Sequence, residues 1–154
     1  MTEPNGSGDV ARLAASRIQF TDEELDWRSA IRLAGRPLVE EGAVTENYIE
    51  DAIRIAEEKG PYFDLGRGIA MPHARPEAGV NQIALSYLRT RTPVLLLDRE
   101  DHPIEVFIML AAIDNKAHLG VLRMLAGVLT DAGKVAELKD ATTPEQVLAI
   151  FGDQ

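Results

Sequence analysis

Apolar positions recur along the first third of the chain with a helical period. Trp27, Ala30, Ile31 and Ala34 share one face, behind Thr21 and Glu24, whose spacing is that of a capping box with Thr21 at the N-cap. Gly35 and Pro37 interrupt the run. Proline has no N–H to donate and its ring crowds the preceding turn, so the pattern predicts a kink or a restart near Pro37. Thr45 then opens a second helix on the stripe Ile49, Ala52, Ile53 and Ala56, and Gly60-Pro61 stops it.

Residues 60–80 are dense in glycine and proline, which forbids a regular element across most of the segment and implies a tightly specified loop. Within it Ile69-Ala70-Met71 forms a brief apolar patch, suited to a short strand that delivers Pro72-His73 to a surface. Strands are predicted over Ile83 to Thr90 and Ile104 to Ile113. The second is apolar on both faces from Val106 to Ile113, as for a central strand covered on each side. A helix capped by Asp114 or Asn115 should follow, with Val121, Leu122, Leu125, Val128 and Leu129 on one face. Thr143-Pro144-Glu145-Gln146 opens a last helix with a cap, a first-position proline and a capping-box glutamine. Helices and strands intermingle with no linker or repeat, which predicts a single-domain α/β sandwich. Residues 1–9 carry no large apolar anchor and read as a mobile tail ahead of a domain over 10–154.

Composition narrows the function classes. The 154 residues include 16 basic and 25 acidic side chains, a net charge of −9. Such a surface argues against a nucleic-acid partner, which needs basic groups to displace counterions, and leaves room for a basic protein partner. Cysteine is absent, so no disulfide, thiolate nucleophile or cysteine-bound zinc exists. No apolar run approaches the roughly 20 residues needed to span a bilayer, and the polar start of the chain is not a secretory signal; a cytoplasmic protein without membrane insertion is expected.

The common enzymatic signatures are missing: no P-loop, dinucleotide fingerprint, GxSxG elbow or HExxH. Paired carboxylates such as Glu40-Glu41 and Glu57-Glu58 fall on solvated helix faces. Three histidines remain. His102, in the polar turn Asp98-Arg99-Glu100-Asp101-His102-Pro103, reads as an exposed loop residue. His73 follows a proline in the glycine-rich loop, between Arg67 and Arg75, in a locally basic stretch of an acidic chain. Spacing alone does not separate a reactive imidazole there from an ordinary loop histidine beside solvated arginines. His118 falls in the first turn of its helix, on the side of the apolar stripe. The helix dipole there favours a neutral ring, and free N–H groups suit an anion, although a partly buried core histidine fits the same spacing better. A neutral imidazole can accept a phosphoryl group without a metal, given donors around the phosphoryl oxygens. Arg75, loop amides and a second histidine are candidates for those donors. No metal site and no cofactor is expected.

At Gly68-Ile69-Ala70-Met71-Pro72-His73-Ala74-Arg75-Pro76-Glu77 the chain resembles the active-site signature of mannitol/fructose-type enzyme IIA domains of the bacterial phosphoenolpyruvate:sugar phosphotransferase system. The resemblance runs from about Ala11 to Phe151. With Gly60-Pro61-Tyr62-Phe63 and Ala111-Ala112-Ile113-Asp114 it is most similar to the ascorbate type. It implies one α/β domain with a mixed central sheet flanked by helices. It implies that His73 is phosphorylated on Nε2 by the histidine-containing phosphocarrier protein and passes the group to a cysteine of enzyme IIB, and that His118 helps hold the phosphate. Ascorbate or a similar compound is the expected sugar; a nitrogen-type regulatory IIA, which signals phosphorylation state without moving sugar, is the alternative. Mannitol-type members carry an arginine sixteen residues before the active histidine, where this chain has Glu57. Arg75 is the candidate replacement. The oligomeric state, monomer or homodimer, is left open.

Overall fold

The computed structural model describes residues 13–112, 119, 123 and 125–151. The expectations for residues 1–9, for a cap at Asp114 or Asn115, for Val121 and Leu122, and for His118 lie outside the described residues.

A four-stranded mixed sheet has the order β1-β3-β4-β2. β1 (Ile18–Thr21) runs parallel to β3 (Ala84–Leu95), β3 is antiparallel to β4 (Pro103–Ala111), and β2 (Ile69–Ala70) is parallel to β4. Helices α1 (Trp27–Glu40) and α2 (Glu46–Lys59) contribute to the core on one face. The helical stretch 125–129, α3 (Ala132–Asp140) and α4 (Pro144–Phe151) contribute to the other. β4 divides its side chains between the two: Phe107 and Met109 enter the α1/α2 core, while Val106, Ile108 and Leu110 enter the second. A strand buried on both faces must be apolar throughout, which is why Val106–Ala111 has no polar position. The predicted sandwich and its doubly covered strand are therefore present.

Several boundaries differ from expectation, each for a physical reason. Thr21 does not cap the first helix; it ends β1, and its hydroxyl accepts the Glu23 amide. The cap is Asp26, whose carboxylate accepts the Ser29 amide and hydroxyl. The Asp26 carboxyl is lowered chiefly by the Ser29 side-chain bond, consistent with a charged cap. Pro37 neither breaks nor restarts α1, which is continuous to Glu40. The carbonyl four residues earlier, Leu33 O, instead accepts Gln19 Nε2 from β1 at 2.7 Å, so the acceptor freed by proline joins helix to sheet. β3 runs to Leu95, beyond the predicted Thr90, through a register shift between Arg89 and Val94. α3, capped by Asp131 through the Gly133 and Lys134 amides, had no counterpart in the sequence reading. α2 begins after Thr45 and ends at Gly60 (φ 94°), as predicted. α4 opens with the reciprocal bonds Gln146 N to Thr143 Oγ1 and Thr143 N to Gln146 Oε1.

Candidate active site

β2 is only two residues long, yet its parallel pairing to Val106 and Phe107 carries the following chain along β4 toward its C-terminal end. There Leu110 N donates to Pro72 O at 3.3 Å, and the next residue, His73, stands half-buried at the sheet edge. The short strand delivering Pro72-His73 is thus present as read from the sequence.

The ring of His73 is held in one sense. Its Nδ1 lies 2.9 Å from Met71 O. A carbonyl only accepts, so Nδ1 carries the proton and, in the neutral ring, the lone pair resides on Nε2. Tyr62 packs edge-on against the imidazole, with ring centroids 5.4 Å apart, and its hydroxyl donates to His73 O at 2.6 Å. Tyr62 is itself 39% exposed, so an aromatic surface borders the histidine on the outside. Burial, with a smaller contribution from Tyr48, pushes the Tyr62 phenol up to about 12, which keeps it a neutral donor.

Beneath the site, Tyr48 of α2 reaches through the core. Its hydroxyl donates to Leu110 O at 2.5 Å and accepts the Ala74 amide at 3.1 Å, tying helix, central strand and histidine loop at one oxygen. Burial pushes this phenol up to about 12. Neither Tyr48 nor Tyr62 was singled out as functional from sequence. Tyr48 sits beside the apolar stripe of α2 and reads there as packing; Tyr62 was visible only as part of the Gly60–Phe63 segment.

Arg75 is exposed, at the start of the short 3-10 turn Pro76–Ala78, and its guanidinium makes no ion pair among the described residues. That turn is docked on the start of α2, where Thr45 N donates to Gly79 O and Asn47 Nδ2 to Ala78 O. Glu57 is paired with Arg28 of α1 (Nη2 to Oε2, 2.7 Å), so the carboxylate is partly neutralised by a neighbouring helix. His102 is not the exposed loop residue expected. It is half-buried, with Nδ1 2.6 Å from Asp64 Oδ2, because the β3–β4 turn folds back onto the histidine loop. His118 lies outside the described residues. Among the described residues no cluster of His, Asp or Glu is placed to hold a metal ion, and no helix is long and apolar enough to cross a membrane.

Comparison with known proteins gives the class. The mannitol-specific cryptic phosphotransferase enzyme IIA component of Escherichia coli K12 is 31% identical over 142 residues, covering 88% of this chain and 92% of that protein. The ascorbate-specific PTS system EIIA component of Shigella boydii is 28% identical over 135 residues, covering 87% and 88%. In the complex of enzyme IIA and phosphorylated enzyme IIB for mannitol from Escherichia coli, the matching chain superposes with a TM-score of 0.79 at 27% identity, covering 93% of this chain and 99% of that one. The protein is a phosphotransferase component of the enzyme IIA class, one that carries a phosphoryl group. It belongs to the phosphoenolpyruvate-dependent sugar phosphotransferase system EIIA 2 family, whose sequence model matches residues 12–154.

Proposed function

We propose that His73 is the phosphoryl-carrying residue, accepting the group on Nε2 from the histidine-containing phosphocarrier protein and passing it to a cysteine of a cognate enzyme IIB. The observation that carries this reading is the bond from His73 Nδ1 to Met71 O. It commits the neutral ring to one tautomer, with the nucleophilic lone pair on Nε2.

The transfer is an exchange of one imidazole for another. The Nε2 lone pair of His73 attacks phosphorus in line, the N–P bond of the donor breaks, and the donor ring keeps the departing electron pair. No proton need move, since Met71 O holds the Nδ1 proton throughout. Positioning and charge stabilisation supply the catalysis. His118 and Arg75 are the proposed donors to the phosphoryl oxygens. In the second step a IIB thiolate attacks phosphorus, the His73–phosphorus bond breaks, and the neutral ring returns. The net charge of −9 suits a donor with a basic face.

The carrier unit is residues 10–154, working in the cytoplasm, and the sugar is ascorbate or a close relative. The Ala111-Ala112-Ile113-Asp114 segment and the similarity to an ascorbate-specific component support that choice. The test is incubation with phosphoenolpyruvate, enzyme I and the phosphocarrier. Wild type should acquire one acid-labile, base-stable phosphate and give it up to a IIB. His73→Ala should acquire none, and persistent labelling of that variant overturns the assignment. Phosphorylation of His73 with no transfer to the ascorbate-type IIB would refute the sugar-transport half of the proposal.

A further inference from the structure

The turn between β3 and β4 reaches the histidine loop through one side-chain pair. His102 Nδ1 and Asp64 Oδ2 are 2.6 Å apart; their side chains are 26% and 12% exposed, so water competes little for the bond. Because a carboxylate accepts, His102 donates. The other oxygen of Asp64 accepts the Gly66 amide at 2.8 Å. His102 Nε2 lies 3.8 Å from the exposed Asp101 carboxylate.

The bonds that continue from Asp64 lead to the reacting ring. Asp64 bridges to Ala70, and its neighbours close the base of the loop: Leu65 N donates to Ile69 O and Met71 N to Phe63 O, each at 2.9 Å. Met71 O then receives the His73 Nδ1 proton. A second, independent observation marks the same two segments. The non-glycine residues with positive φ among the described residues are Arg67, Leu97 and Asp98, one in the loop and two in the turn. Such backbone persists only where surrounding contacts over-determine it. On the turn side those contacts include Leu96 N to His102 O (2.9 Å) and His102 N to Arg99 O (3.1 Å).

We infer that the His102–Asp64 pair is a positioning device for His73: it braces the base of the 63–71 loop so that Met71 O stays aimed at Nδ1 and Nε2 keeps the lone pair. His102 acts through Asp64 and touches no phosphoryl group. The inference rests on His73 as the acceptor, and the test separates the two.

Nitrogen chemical shifts of the His73 ring are measured in unphosphorylated wild type, His102→Ala and His102→Asn, beside the single-turnover rate of phosphorylation by the phosphocarrier. The asparagine amide can place a donor near the position of Nδ1. Wild type should show Nε2 as the unprotonated nitrogen. His102→Ala should move the ring toward a mixture of tautomers and slow phosphorylation about ten- to hundredfold, the scale of a misplaced reacting group; His102→Asn should restore both. An alanine variant with wild-type shifts and rate overturns the inference, as does a rate loss that asparagine fails to rescue. If wild type itself takes no phosphate, the proposed function fails, while the ring shifts still decide whether His102 sets the tautomer.

Discussion

Tyr48 shows how one side chain can carry both stability and site geometry. Its hydroxyl joins Leu110 O on the central strand to the Ala74 amide next to His73, from a fully buried position. Removing it in Tyr48→Phe leaves a buried carbonyl and a half-buried amide short of a partner, and should cost about 1–3 kcal/mol in denaturant unfolding at neutral pH. The alkaline limb follows from the raised phenol. A phenol near 10 when unfolded and about 12 when folded favours the folded state fully below pH 10, and that contribution is lost as pH rises through 12. Stability of wild type should therefore fall between these values, and Tyr48→Phe should fall less steeply; identical slopes would contradict the assignment. At this scale the sequence was partly informative. His73 was legible as a candidate because a proline and flanking arginines set it apart in an acidic chain. The partner that fixes its tautomer is a backbone carbonyl two residues away, and no residue type announces a carbonyl. His102 was misread as exposed because its carboxylate partner, Asp64, is 38 positions distant.

Helices with clean stripes were the readable elements: α2 and α4 begin where Thr45 and Thr143 predict, although the Thr45 hydroxyl donates to Ala78 O and makes no capping bond. α1 was misjudged at both Thr21 and Pro37. A polar residue ahead of an apolar stripe has more than one use, and Thr21 is spent in a short edge strand that only its pairing to β3 reveals. Pro37 was read as a local disruption, whereas the sheet supplies Gln19 to the carbonyl it frees. Gly35, the other supposed interruption, has a packing role. A Cβ there would collide with Ile49 Cδ1 and sit 2.8 Å from Met109 Sδ, so the missing side chain is what lets α1 approach α2 and β4. Gly35→Ala should gain about 1 kcal/mol in helix propensity yet lose more to overpacking, of the order of 1–3 kcal/mol, giving a net fall in thermal stability. A rise in the unfolding midpoint would show that the approach is looser than described.

The whole molecule brings together residues from separate segments at the C-terminal end of β4. The loop after β2 supplies His73, the segment between α2 and β2 supplies Tyr62, α2 supplies Tyr48 from below, and the β3–β4 turn braces the loop from the side. The α/β class and the central strand were legible because double burial demands an unbroken apolar run. The strand order β1-β3-β4-β2 was not, since β2 has two residues and its place depends on pairing across 37 positions, Ile69 with Val106. His118 belongs to this scale too, as a proposed second donor from a later segment. His118→Ala should leave the unfolding midpoint unchanged and slow phosphoryl transfer; an unchanged rate would make it a packing residue.

Phosphorus–nitrogen NMR decides whether the fixed tautomer of His73 makes its Nε2 the phosphorus carrier. The measurement uses ring-labelled protein after phosphorylation by the phosphocarrier. A one-bond coupling between phosphorus and Nε2 of His73, with Nδ1 still protonated, is the predicted result. Coupling to Nδ1, or phosphorus on any other residue, would contradict it.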